Sequence, residues 1–347
     1  MFRHSHRKGF LEMSAQSFSY PLRPGKYVDR GLFVELLQYV DRSSPVREAV
    51  YVGFGGPCME DHRVIHAALG LKRMISIEND EDVFEQQLFN KPLSRIVCVQ
   101  RDAKDFVDEF ERELKECGVK AEERRIIWFD FEKAKDMMSQ LQTLQALIGL
   151  ANDGDVIRIT LNAHAASLGS KEDKEADEEL QKARLKKLTE RLGDFLPAGV
   201  EASSMTKSGF PPVVLETIKL SANRAAGESS RIFLPLLIVH YADGQDMLTV
   251  TGIVLDETDV KKFLKATGLG RWPHYAKTWT NVERVSQAPA LTLRERIHMD
   301  QTMSANRNKL PPKLKYLSRT LDTTESDLVK MYRRYQRFFP RFQHVDL

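Results

Sequence analysis

Residues 49–81, AVYVGFGGPCMEDHRVIHAALGLKRMISIENDE, restrict this chain more than any other stretch. They read as a buried strand (Ala49–Val52), a glycine-rich turn (Gly53, Gly55, Gly56), a helix, and a second buried strand (Met74–Ile77) ending in Glu78. Glycines let backbone approach a ligand closely, the helix that follows presents free N–H groups, and an acid on the next strand can hold a ribose. A GxG pair alone is common in turns. With a strand before it and an acid 25 residues beyond Gly53, at the end of another strand, it points to a nucleotide-type pocket.

The same alternation continues downstream. A helix over 81–90, a strand at Arg95–Gln100, a helix from Asp105 to Cys117 and a strand at Arg125–Phe129 are expected. A helix through Met137–Leu150, an Asn152-Asp153-Gly154 turn and a strand at Asp155–Leu161 follow. Five short apolar runs separated by helical stretches predict a mostly parallel α/β sheet with helices on both faces. Upstream, Tyr27–Val40 has the spacing of an amphipathic helix. Arg231–Tyr241 and Met247–Leu255 are long β-rich runs joined through Asp243-Gly244, a hairpin signal that closes the sheet with antiparallel strands.

The remaining segments are assigned by composition. Residues 1–19 are a basic, polar leader, and 20–256 form the α/β domain. Within it, a charged helical insertion spans about 166–200, with residues 170–192 the densest in charge and expected to be exposed, while 203–212 read as loop. Residues 257–347 form a helical, basic C-terminal region. Its last helix is expected over Glu325–Phe339, capped by Asp322 or a neighbouring threonine. Three well-separated cysteines, with no CxxC pair, argue against a disulfide scaffold or zinc finger. No run of 18 apolar residues and no apolar signal core occur, so a cytoplasmic protein without membrane contact is expected. The net charge of +3 demands no polyanionic partner.

Five parallel strands closed by a hairpin resemble the class I S-adenosylmethionine-dependent methyltransferases. An NAD-binding fold would instead continue with a parallel strand, which disfavours a nicotinamide-dependent oxidoreductase. The likeness runs from about Tyr20 to Leu255. It implies S-adenosylmethionine as cofactor, with Gly53, Phe54 and Gly55 against its methionine part, Glu78 on the ribose, Asp102 facing the adenine and Asp130 at the methyl-transfer site. Tyr20–Tyr27 takes the place of a segment that folds over the cofactor. Tyr51 stands where many relatives have an acid, and Pro57 replaces the third glycine of the turn. Asp130-Phe131-Glu132 differs from the Asn/Asp-Pro-Pro-aromatic signature, which argues against methylation of base amino groups.

Each candidate also has a bland reading. Glu78 could cap the helix that follows, and Asp102 could cap the next, although Ala103-Lys104-Asp105 offers a substitute cap. Asp130 and Glu132, the proposed catalytic pair, emerge together at a strand end, yet could simply pair with Arg124, Arg125 or Lys133. His62 and His66 share a helix face without the glutamate of a metalloprotease motif, so one is expected to pack and the other to be solvated; no metal site is assigned. Asn162 and His164 could line the substrate side or satisfy loop backbone. From Lys309 to Arg341 nine Lys/Arg face three acids, interleaved with aromatics, which permits nucleic-acid binding. Helical spacing of those aromatics favours docking on the body instead. A degenerate fold acting as a nucleic-acid or protein-binding module is therefore the alternative, and acceptor and oligomeric state stay open.

Overall fold

A computed structural model of the chain describes residues 23–170, 177–227, 230–286, 291–304, 309–320 and 323–339. The leader, Asp322 and Arg341 lie outside these residues.

Parallel strands β1 (Val50–Gly53), β2 (Arg73–Glu78), β3 (Val97–Gln100), β4 (Arg125–Asp130) and β5 (Val156–Asn162) are joined by the antiparallel hairpin β6 (Arg231–Ala242) and β7 (Asp246–Asp256). A short strand β8 (Glu283–Ser286), absent from the sequence reading, pairs parallel to β6 at the edge. The described sheet has eight strands in the order β3-β2-β1-β4-β5-β7-β6-β8. The order reverses between β1 and β4, and ligand crevices in open α/β sheets form at such switch points, outside the carboxyl ends of the strands.

Alternation along the strands divides the core. Val50, Val52, Ile127 and Phe129 face helices α4 (Ala103–Asp108), α5 (Phe110–Glu116), α6 (Met137–Leu150) and α8 (Phe210–Ala226). Tyr51, Ile126 and Trp128 face the other way, toward α1 (Pro24–Val40) and α2 (Glu60–Leu69). Val28, Leu32, Phe33, Leu36, Leu37 and Val40 of α1 are all at most 2% exposed. Each such burial contributes roughly 1.5–3 kcal/mol.

Several elements depart from expectation. The helix expected from Asp105 starts at Ala103 and is interrupted at Glu109, giving α4 and α5. Phe210-Pro211-Pro212 opens α8 and is no loop, because proline is tolerated in a helix's first turn, where the N–H has no helical partner. The charge-dense segment forms α7 (Asp177–Leu192), but Leu180, Leu188 and Leu192 are buried, so one face is docked. Pro235 sits at a bulge in β6, where the ladder tolerates a missing donor.

The C-terminal region joins the core on the α1 side. Leu328, Tyr332 and Tyr335 of α12 (Glu325–Tyr335), with Phe339 beyond it, are buried there. Thr324 caps α12 through the Asp327 N–H. Among the described residues, no helix is long and apolar enough to cross a membrane.

Candidate functional site

The glycine turn closes because the space around it is already occupied. A Cβ on Gly53 would lie 2.6 Å from the Tyr51 hydroxyl, and one on Gly55 would lie 2.5 Å from Ser76 Oγ. Gly56 has φ +53°, and Met59, which precedes α2, is left-handed at +50°. This tight path leaves a crevice of about 550 Å³ along the carboxyl ends of β1 to β4. Phe54 and Gly55 line it, whereas Gly53 supports the turn from beneath. Phe54 stacks on Phe129 at 5.0 Å and meets Phe131 edge-on at 5.4 Å, forming an apolar wall.

Glu78 enters the same crevice from β2. Its Oε1 accepts from the Asn79 and Asp80 N–H groups at 2.9 and 3.0 Å, and Gln87 Nε2 approaches Oε2 at 3.4 Å. Gln87 is in turn held by Ser76 Oγ at 2.8 Å. Burial raises the Glu78 carboxyl above its ordinary range. It does not cap α3 (Glu81–Asn90); Asp80 does, through the Val83 N–H at 3.0 Å.

Asp102 both lines the crevice and caps α4, accepting from Lys104 N–H at 2.8 Å. The substitute cap is not used, because α4 begins two residues before Asp105. Asp102 Oδ2 also accepts from Asn79 Nδ2 at 3.3 Å, which ties the tips of β2 and β3 together.

Asp130 and Glu132 both line the crevice, but not with the partners anticipated. Lys26 Nζ, at the start of α1, donates to Asp130 at 2.8 Å, with side chains 2% and 10% exposed. Burial alone would raise the Asp130 carboxyl, yet Lys26 overrides this and holds it below the usual carboxylate range. Arg23 lies 3.9 Å from Glu132, whose carboxyl is pushed up by partial desolvation and then by the charge of Asp130. Arg125 instead pairs with Asp155, and Arg124 reaches the Pro45 carbonyl. Asp243 in the hairpin turn accepts from the Gly25 and Lys26 N–H groups at 2.9 and 2.7 Å, fixing α1 over this end of the sheet.

The other candidates lie around the rim. His62 is buried with Nε2 3.1 Å from the Ile75 carbonyl, and His66 Nδ1 is 2.7 Å from the Leu71 carbonyl, so the second ring is engaged as well as the first. No group of three or more potential ligands is poised for a metal among the described residues. Asn162 and His164 do not line the crevice: Asn162 bonds Gln245 at 2.9 Å, and His164 bonds Asp246 at 2.9 Å. At the C-terminus Arg334 pairs with Glu283 and Arg337 with Glu35, with the α12 aromatics packed inward. This is the docking arrangement.

Sequence reasoning missed Lys26 and Gln87, and gave Asp61 no role. A signal for the first was present. Lys26, Asp29 and Arg30 share the helix face that carries Phe33 and Leu37, placing charges within an apolar stripe.

The chain from residue 18 to 347 matches the family described as "Putative O-methyltransferase". No curated protein matches it. Among solved structures it is similar to the N-methyltransferase NodS from Bradyrhizobium japonicum WM9 in complex with S-adenosyl-L-homocysteine, at 13% identity and TM-score 0.35, over 65% of this chain and 87% of that one. It is also similar to the O-methyltransferase TomG from Streptomyces achromogenes in complex with SAM, at 14% identity and TM-score 0.34, over 64% and 79%. A family match over nearly the whole chain, on a sheet of five parallel strands closed by a hairpin, is decisive: the chain belongs to this O-methyltransferase family.

Proposed function

We propose that the crevice binds S-adenosylmethionine and that the protein transfers its methyl group to an oxygen acceptor. The observation that carries this is the convergence of the glycine turn and Glu78 on one crevice, with no side chain of the described residues filling the space between them. A volume of about 550 Å³ suits a ligand of nucleoside size. Gly55 presents bare backbone to the crevice, and Glu78 Oε2, approached only by Gln87, keeps a lone pair for a ribose hydroxyl.

When bound, S-adenosylmethionine supplies an electrophilic methyl group on a sulfonium centre. The chain supplies alignment and dryness. Glu78 takes the ribose, Asp102 faces the base, and Phe54-Gly55, supported by Gly53 beneath, runs along the thioether part. Phe54, Phe129 and Phe131 exclude water from that side. Asp130 and Glu132 face the acceptor. Asp130, neutralised by Lys26, orients a hydroxyl as a fixed acceptor. Glu132, with its proton affinity raised, is the better placed of the two to take the hydroxyl proton.

Calorimetric titration with S-adenosylmethionine tests the reading. The parent protein is expected to bind, and Glu78→Ala to bind at least about tenfold more weakly through loss of charge-assisted bonds to the ribose. Absence of binding by the parent would overturn it.

A further inference from the structure

Beneath the glycine turn lies a buried set of charges that the functional reading above uses only in part. Arg30 of α1, Asp61 of α2, Asp130 of β4 and Arg158 of β5 act on the Tyr51 hydroxyl, and Lys26 and Asp29 of α1 join them as ion-pair partners, all buried except the slightly more open Asp130. Arg158 pairs with Asp29, and Lys26 with Asp130. Asp61 pairs with Arg30, but only through Oδ1. No described residue donates to Asp61 Oδ2, and that oxygen is not sealed in the interior, because Asp61 forms part of the crevice wall.

The two ends of the crevice differ chemically. Glu78 and Asp102 occupy the β2–β3 end, where a nucleoside would sit. The end between the glycine turn, the start of α2 and the tip of β4 holds Asp61 and Asp130. A cofactor whose ribose is on Glu78 and whose sulfur follows the glycine turn must direct its amino-acid tail toward this second end. That tail carries an α-ammonium, a cation that requires an anionic acceptor on leaving water. Asp130 is already committed to Lys26. Asp61 offers a carboxylate oxygen held in place by the Arg30 contact on its other oxygen.

We infer that Asp61 is the binding residue for the α-ammonium of the cofactor's methionine moiety, Arg30 fixing its orientation. This assignment rests on the proposed S-adenosylmethionine reading and names a contact within that site. Tyr51, two positions before Gly53, carries no charge for this task, and the acid is delivered from α2 instead. A buried ion pair with one oxygen directed into a crevice is a charge-assisted acceptor of good quality.

Two probes separate this contact from the rest of the site. S-adenosylhomocysteine carries the ammonium and carboxylate of the amino-acid tail; 5′-methylthioadenosine keeps the nucleoside and thioether but lacks both, so the ammonium contact is read from the effect of Asp61→Asn on the two ligands. Calorimetry on the full chain is expected to show the parent binding the former more tightly. Asp61→Asn should lose about tenfold or more in affinity for S-adenosylhomocysteine while changing by less than about twofold for 5′-methylthioadenosine. Because Asp61→Asn leaves Arg30 without its buried carboxylate, the double variant Arg30→Gln/Asp61→Asn, which removes both charges, is measured beside it and should show the same selective loss. Parallel weakening toward both ligands, or no weakening, overturns the assignment. Failure of the parent to bind either ligand would instead remove the cofactor reading itself, and this inference with it.

Discussion

Lys26 and Asp130 show how far a single side chain can govern this site. Their ion pair spans 104 residues of sequence and is almost wholly dehydrated. Removing the cation leaves a carboxylate in a region that also holds Asp61, so Lys26→Met should destabilise the fold by about 3–5 kcal/mol in urea denaturation, whereas Lys26→Met with Asp130→Leu should lose clearly less. An equal loss in both variants would show that the pair's geometry, not its charge balance, matters. Gly55 governs the opposite end. A Cβ there would meet Ser76 Oγ at 2.5 Å and Gln87 at 3.1 Å, the two groups that brace Glu78. Gly55→Ala is therefore expected to weaken S-adenosylhomocysteine binding and to lower the melting temperature, because the displaced Ser76 and Gln87 are fully buried. A drop in stability with unaltered binding would contradict that role for the brace.

At the scale of elements, legibility followed the length and contrast of the pattern. Strands β1 and β4 are continuous apolar runs, β2 and β5 are apolar-rich ones broken only by Ser76 and by Arg158 and Thr160, and helix α6 has the bounds expected from the sequence. Helix α8 was missed because Phe-Pro-Pro resembles a turn until the helix behind it is seen. β8 is four residues long and reads Glu-Arg-Val-Ser; only its pairing with β6 makes it a strand. The same holds for the site. Glu78 and Asp102, which line the crevice, were legible as strand-end acids, while the Lys26–Asp130 and Arg30–Asp61 pairs join residues far apart in sequence, a pairing that no local pattern discloses. Capping was legible: Asp322 or a neighbouring threonine was expected to cap the last helix, and Thr324 does. Thr324→Ala should lower stability by about 1 kcal/mol, read from denaturant midpoints, with no change in ligand affinity, since α12 lies away from the crevice.

For the molecule as a whole, the C-terminal region is fastened to the sheet by Glu283 of β8. Burial alone would raise this carboxyl, but His274, Arg334 and Tyr335 hold it down at about 2. A folded-state value below the unfolded value of about 4.3 means the contribution is fully present above that pH and is lost as pH falls toward about 2. The melting-temperature gap between parent and Glu283→Gln should thus stay constant above about pH 5 and close on acidification. A gap independent of pH would show that the carboxylate's charge is not what fastens the region.

All of these parts place one crevice at the switch between β1 and β4, and the account stands on what occupies it. The most direct measurement is a crystal structure of the protein grown with saturating S-adenosylhomocysteine. The ribose hydroxyls should lie on Glu78 and the thioether along Phe54-Gly55, with the amino-acid tail directed toward α2. A nucleoside bound elsewhere, or an empty crevice at saturation, would contradict it.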